Sequence, residues 1–322
     1  MLKRFLPSVT SHCPIDCEVV VADNGSTDGS VALLKKDFPQ VRLVCFDKNH
    51  GFAEGYNKAL AEVTSEYAVL LNSDVEVTED WLTPILHYMQ EHPDTAAVQP
   101  KILAQYDKRM FEHAGAAGGF MDQLGYTYCR GRVMSSREED KGQYDSDMQV
   151  FWASGACLVT RTKVFRETGG LDADFFAHME EIDYCWRLNA RGYKVMCLPE
   201  SKVYHLGGGA LPYESPRKTY LNFRNSLLMF YKNFPLRHLI WLAPVRWGLD
   251  LTAALQYVLK REPEHAKAVI KARRDYHRMK SAMREKRKTN MALTRVPFPA
   301  QMRPWSVLIH YYILRHKSFK DL

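Results

Sequence analysis

An α/β fold with a mostly parallel sheet flanked by helices is predicted by three features of the chain. Short apolar runs rich in β-formers recur at residues 17–22 (CEVVVA), 41–46 (VRLVCF) and 67–71 (YAVLL). Helical stretches at about 29–37, 53–63 and 79–91 follow them, each after a polar or glycine-bearing turn. Right-handed crossovers make such strands parallel and place every strand-to-helix turn on one edge of the sheet, where open α/β sheets bind ligands. Ahead of them, Leu2, Phe5, Leu6 and Val9 fall at helical spacing, so residues 1–9 read as a helix, too short for a secretory signal.

Further along, residues 102–148 lose all periodicity and read as an extended loop region. A strand is expected at 152–161, a helix at 180–190 closed by Gly192, and a short strand at 194–198. With 322 residues and 46% hydrophobic content, the chain can bury one large core plus an appendage, or two modest domains, which excludes disorder throughout. The net charge of +7 is unevenly spread: residues 1–212 carry 21 Lys+Arg against 30 Asp+Glu, and residues 213–322 carry 23 against 7. A basic, helical extension on an acidic body points to an anionic surface as partner. Nucleic acid is not expected, because no zinc finger, helix-turn-helix or aromatic RNA-binding motif is present. The seven cysteines are scattered without a CxxC pair, as in a reducing cytosol.

Chemistry-bearing residues gather at the strand ends. Asp23 and Asn24 close the first apolar run and open the turn Asp23–Asp28. A carboxylate there can accept from a nucleobase N–H or a ribose hydroxyl, and the same residues also suit a plain turn and helix N-cap. After the second run, the segment 48–57 (KNHGFAEGYN) supplies Asn49, Gly51 and Asn57, with small residues that let a ligand approach the backbone and a helix start able to face phosphate. After the third, Asn72, Ser73 and Asp74 place alternate side chains on one side of an extended chain, with oxygen ligands of the kind a hard divalent cation prefers. A helix cap is the alternative there.

The order of these pieces closely resembles the nucleotide-sugar half of family 2 glycosyltransferases, through VVVADNGSTDGS, KNHGFAEGYNKAL and YAVLLNSDVEV. The resemblance implies the GT-A fold, a Rossmann-like, mostly parallel sheet flanked by helices. It gives Asp23 the base contact, and Asp74, supported by Asn72, the hold on Mg²⁺ or Mn²⁺ against the donor diphosphate. Asn24, Asn49, Gly51, Asn57, Asn72 and Ser73 are the remaining donor-nucleotide candidates. The segment 152–195 resembles the family's acceptor side, whose catalytic base falls on Glu181, with Glu180 the alternative. His205, before three glycines in VYHLGGG, resembles the closing motif that completes the metal site. Asp183 and Arg187, four apart on one helix, read as a structural ion pair.

The resemblance spans roughly residues 1–212, taken as one GT-A domain, with 213–322 as a basic helical extension. Family members begin with a further central β-strand ahead of the helix at 1–9, so the chain is expected to be truncated there or to have its true start upstream. The activity implied is inverting transfer of a sugar from a nucleotide-diphosphate donor to a hydroxyl of a glycan or lipid-linked glycan in surface polysaccharide synthesis, nearest to rhamnosyltransferase-like members. A sugar-1-phosphate nucleotidyltransferase and a non-catalytic membrane-associated remnant are the alternatives. In the extension, residues 239–259 have the length of a membrane span, but Arg246, Asp250 and Pro244 interrupt it. It is expected to pack on the catalytic domain or to lie in the interface of an anionic membrane, with Trp241, Trp247 and Tyr257 near the headgroups. The location implied is cytoplasmic, peripheral at the inner face of the cell membrane.

Overall fold

A computed structural model describes residues 1–207 and 215–322. Helix α1 (Leu2–Ser11) is followed by β1 (Val20–Asp23), α2 (Ser30–Asp37), β2 (Arg42–Cys45), α3 (Gly51–Ala61) and β3 (Tyr67–Leu71). Next come β4 (Val75–Val77), α4 (Thr83–Glu91) and the ten-residue β5 (Thr95–Ala104). Four short strands, β6 (Gly119–Asp122), β7 (Thr127–Cys129), β8 (Arg132–Val133) and β9 (Ser136–Arg137), precede β10 (Met148–Gln149), β11 (Cys157–Arg161) and α5 (Thr162–Glu167). Helix α6 (Glu180–Ala190) leads into β12 (Lys194–His205). The extension holds α7 (Pro216–Asn233), α8 (Leu236–Leu259), α9 (Pro263–Met279), α10 (Met283–Leu293) and β13 (Met302–Arg303).

The central sheet runs β10-β12-β5-β11-β3, with β4 on the end of β12. It is mixed: β12 lies parallel to β5, whereas β11 enters antiparallel between β5 and β3. β1 and β2 pair in parallel as a separate two-stranded sheet. A break separates this pair from β3. Helix α1 helps to close it, since Val9 packs both against Leu6, Leu34 and Val41 and against the cluster of Val75, Ile85 and Val98.

Two expectations are corrected. Residues 102–148 are not an extended loop: β5 runs into them, and β6 to β9 with β13 form a second, five-stranded sheet. These strands are too short to show a period. Their order comes from packing, as where Trp152 Nε1 donates to the Phe120 carbonyl at 3.0 Å and the Trp152 ring covers Gly119. The strand expected at 194–198 continues to His205, through a register shift between Leu198 and Lys202. At 152–161 only Cys157–Arg161 is regular. The glycines after Gly207 in the closing motif, and the expected boundary at 212, lie outside the described residues.

The main core draws on both parts of the chain. Trp186 of α6 meets Phe234 edge-on at 4.5 Å between centroids, and Leu228, Met229, Phe230 and Met283 join the same cluster. A buried charge network crosses the same junction. Asp183 accepts from Arg187 Nε at 3.0 Å, Lys232 Nζ at 2.7 Å and Asn233 Nδ2 at 2.7 Å, so the Asp183–Arg187 pair is structural, as expected. Lys232 also reaches Asp172 at 2.5 Å, and Lys286 of α10 binds Asp172 and Asp174. Burial alone raises the pKa of Asp172, but the two lysines outweigh it and hold the carboxyl well below its usual range. Breaking such a network strands buried carboxylates without a counter-charge. Lys232→Ala is therefore expected to cost about 3–5 kcal/mol in denaturant unfolding.

Candidate active site

Two loops interlock at the ends of β1 and β2. Asp23, buried at the end of β1, accepts from Ser26 N at 3.1 Å across Gly25, whose φ is +73°. A Cβ on Gly25 would lie 2.5 Å from the Lys48 carbonyl carbon, so only glycine lets the loops pass. Asn24 clamps the second loop, accepting from His50 N at 2.9 Å and donating to the Gly51 carbonyl at 2.8 Å. Asn49 accepts from Gly51 N at 2.8 Å. Both amides thus shape the loop from inside. Asn57 sits farther along α3 and is committed elsewhere: it exchanges two hydrogen bonds with the Leu171 backbone, at 2.9 and 2.7 Å.

At the end of β3, Asn72 N donates to the Ala156 carbonyl at 3.0 Å, and Ser73 is exposed. Asp74 is buried, and its carbonyl accepts from Leu206 N at 3.1 Å, which brings the end of β12 alongside. His205 Nε2 lies 3.2 Å from Asp74 Oδ1, while its Nδ1 lies 3.5 Å from Oε1 of Glu112, a residue only 2% exposed. Burial pulls the imidazole pKa down, but the Asp74 and Glu112 carboxylates outweigh it and lift it to about 9. Asp74 and His205 are the side chains that could hold a metal. Among the described residues no group of three or more His, Cys, Asp or Glu could do so. Two protein ligands nonetheless suit a hard cation whose other positions are taken by phosphate oxygens and water.

Residues 154–156 connect this region to the acidic pair of α6. A Cβ on Gly155 would touch Phe52 at 3.4 Å and Glu181 Cβ at 3.7 Å, and the next residue, Ala156, binds Asn72. Phe52 N and Ala53 N both donate to the Phe176 carbonyl, at 2.6 and 3.2 Å. These contacts link the loops bearing Asp23, Gly51, Asp74, Glu181 and His205 as successive neighbours. Glu180 is buried and Glu181 keeps part of its surface, yet one carboxyl oxygen of each has no hydrogen-bond partner among the described residues. Burial raises the Glu181 pKa to about 7, and burial together with the Glu181 charge pushes that of Glu180 well above the usual range. Desolvated carboxyls with an unpartnered oxygen are a mark of functional sites.

Comparison with known proteins decides what this arrangement belongs to. The family model "Glycosyl transferase family 2" matches residues 1–169. The chain belongs to glycosyltransferase family 2. Over 272 residues it is 26% identical to the N-acetylglucosaminyl-diphospho-decaprenol L-rhamnosyltransferase of Mycobacterium tuberculosis (strain ATCC 25618 / H37Rv), covering 79% of this chain and 87% of that protein. Among solved structures, it resembles GalNAc-T7 bound to UDP, GalNAc and Mn²⁺, with a TM-score of 0.56 and 16% identity, over 73% of this chain and 46% of that one. The mannosyltransferase PcManGT from Pyrobaculum calidifontis, bound to GDP-Man and Mn²⁺, gives 0.50 and 15% over 90% and 83%. These likenesses establish the GT-A fold.

In this family 2 glycosyltransferase the residues that set the acidic pair in place lie partly outside any local motif. Phe176, His178 and Met179 all adopt left-handed backbone, with φ of 65°, 70° and 72°. Asn225 of α7 holds this stretch, donating to the Phe175, Ala177 and His178 carbonyls at 2.9, 2.9 and 2.7 Å. Arg224 adds bonds to the Asp174 and Phe175 carbonyls at 3.0 and 2.9 Å. Neither residue carries a local motif. Glu112 was likewise hidden, in a segment read as loop. Because the Glu180 pKa is raised on folding, the folded transferase loses stability relative to the unfolded chain as pH climbs above the ordinary glutamate value. Glu180→Gln is expected to raise Tm at pH 8, with the gain vanishing near pH 4, in thermal melts across that range.

Proposed function

We propose that this transferase moves a sugar, with inversion, from a nucleotide-diphosphate donor to a hydroxyl of a glycan or lipid-linked glycan during surface polysaccharide synthesis. The observation that carries the reading is the half-buried Glu181, its pKa raised by burial, beside Gly155, whose neighbour Ala156 is bonded to Asn72 at the start of the Asp74 turn. The acceptor hydroxyl oxygen attacks the anomeric carbon, its proton passes to a Glu181 carboxylate oxygen, and the bond from that carbon to the diphosphate oxygen breaks. Glu181 rather than Glu180 suits the role, since it keeps part of its surface while Glu180 is buried. Asp23 and the loop around Gly51 would receive the nucleoside, with Asn24 and Asn49 holding that loop's shape and Asn72 and Ser73 lying at the diphosphate. Asp74 and His205 would hold Mg²⁺ or Mn²⁺. Such an ion, when bound, neutralises charge on the departing nucleoside diphosphate. Two solved relatives of the same fold carry Mn²⁺ with a nucleotide or nucleotide sugar.

A rhamnosyl or related deoxyhexosyl donor and a lipid-linked acceptor are favoured by the name of the mycobacterial relative. The setting that goes with them is the inner face of the cell membrane, and the basic extension from 213 on is the part we assign to it.

Donor-to-acceptor transfer followed by product mass, with donors screened against the purified chain, tests the reading. Glu181→Gln is expected to lower kcat by about 10²–10⁴-fold with donor affinity retained. Equal loss of binding and turnover would remove the base role. The base must be deprotonated, so kcat/KM should rise with pH through about 7 and level off above it. Glu112 faces the ring nitrogen of His205 remote from Asp74, the position from which a carboxylate fixes a metal-ligating imidazole. Glu112→Ala is expected to weaken Mn²⁺ affinity about 10–100-fold, read from free Mn²⁺ by electron paramagnetic resonance with nucleoside diphosphate present.

A further inference from the structure

Helix α8 is amphipathic in the reverse sense. His238, Leu242, Arg246, Asp250 and Ala254 repeat every four residues and are its buried positions. Arg246 pairs with Asp250 at 3.2 Å and lies over the Tyr126 and Phe230 rings at 4.7 and 5.4 Å, while Arg273 of α9 closes on the other Asp250 oxygen. The polar groups that interrupt the run thus face the protein. Leu236, Ile240, Trp247, Leu251, Leu255 and Val258, spaced by three, four or seven, share the opposite face. Ile240 is 69% exposed, Leu255 58% and Val258 54%. No acidic residue of α8 accompanies them, since Asp250 is its only one.

This face continues at both ends. Near its start, Trp241 shares a cavity with Trp305 and Ile309, and Ile309 and Ile313 are exposed. Near its end, Leu255 and Val258 line a groove of about 590 Å³ against α9, whose side is formed by Lys267, Ile270, Lys271 and Arg274. Those three cations lie four and three residues apart on one face of α9. Lys267 contacts Glu264, Lys271 lies over the Tyr220 ring and Arg274 is near Asp275. Across 263–293 the balance is still ten Lys and Arg against three Asp and Glu. No helix among the described residues is long and apolar enough to cross a membrane.

We propose that the outward face of α8 and its groove with α9 dock on an anionic phospholipid bilayer, with α8 parallel to the surface, the apolar stripe in the acyl boundary, and Lys267, Lys271 and Arg274 on headgroup phosphates. A strip of exposed apolar side chains edged by cations matches that surface in both hydrophobicity and charge. The proposal rests on the membrane setting assigned above to the extension; docking requires no donor, so its test is read separately from the transfer reaction.

The test is co-sedimentation of the full chain with vesicles of phosphatidylcholine alone or with one third phosphatidylglycerol, together with sedimentation velocity of the free protein. Binding to the anionic vesicles is expected, falling with salt, with neutral vesicles at least tenfold weaker. Replacing Lys267, Lys271 and Arg274 by Gln should weaken the anionic partition on the order of a hundredfold. Replacing Ile240, Leu255 and Val258 by Ser should weaken it on both vesicle types while leaving the melting curve in place, because these side chains bury little in the fold. Equal binding of the wild type and either variant overturns the proposal. So does a concentration-dependent dimer that the Ser variant dissolves and that binds no vesicles, since a second copy would then cover this face.

Discussion

The stretch from Phe175 to Met179 holds the geometry of the candidate site together. Three of its residues sit in left-handed backbone, each costing about 1–3 kcal/mol in isolation. Such a path persists only where its surroundings over-determine it, and here they do. Asn225 takes three of its carbonyls, Arg224 takes that of Phe175 and of Asp174 just ahead of it, and the Phe176 carbonyl receives two amides from the start of α3. One short loop therefore touches the start of α3 on one side and α7 on the other, immediately ahead of Glu180 and Glu181. Below it, Lys232 ties Asp172, ahead of the loop, to Asp183, inside α6. The acidic pair is presented by the fold as a whole, and helices from the basic extension are part of what presents it.

Features fixed by local pattern were legible in the sequence. β3 and α6 have the bounds expected of them, because an isolated apolar run and a periodic segment closed by Gly192 leave little freedom. The strand ends carrying Asp23 and Asp74 followed from the same rhythm, and the structure sets His205 beside Asp74. What the sequence concealed depends on burial. All ten residues of β5 are buried, so it lacks the alternation of a half-exposed strand, and its Gln99–Pro100–Lys101 centre reads as a chain breaker. Lys101 is tolerated there because Asp140 and Asp145 neutralise it. Glu112 and Asn225 acquire their significance from partners about ninety and fifty residues away, at distances no local window records.

The charges inside α8 illustrate the same limit. Arg246 and Asp250 argued against a spanning helix from sequence alone, and they are inconsistent with lipid only if they face it. In the fold they turn toward Tyr126 and Arg273, leaving the helix apolar on its outer side. Hydrophobicity averaged along a segment carries no information about which side is which.

The break in the sheet has its own consequence. β1 and β2 stand outside the continuous hydrogen-bonded ladder and are joined to the remainder through α1 and the Asn24 bonds. A unit attached in this way takes its position from those few contacts, so the separation of Asp23 from Asp74 is set by side chains and a helix and not by a shared ladder. A molecule spanning Asp23 and Asp74 would add a direct tie between the two pieces.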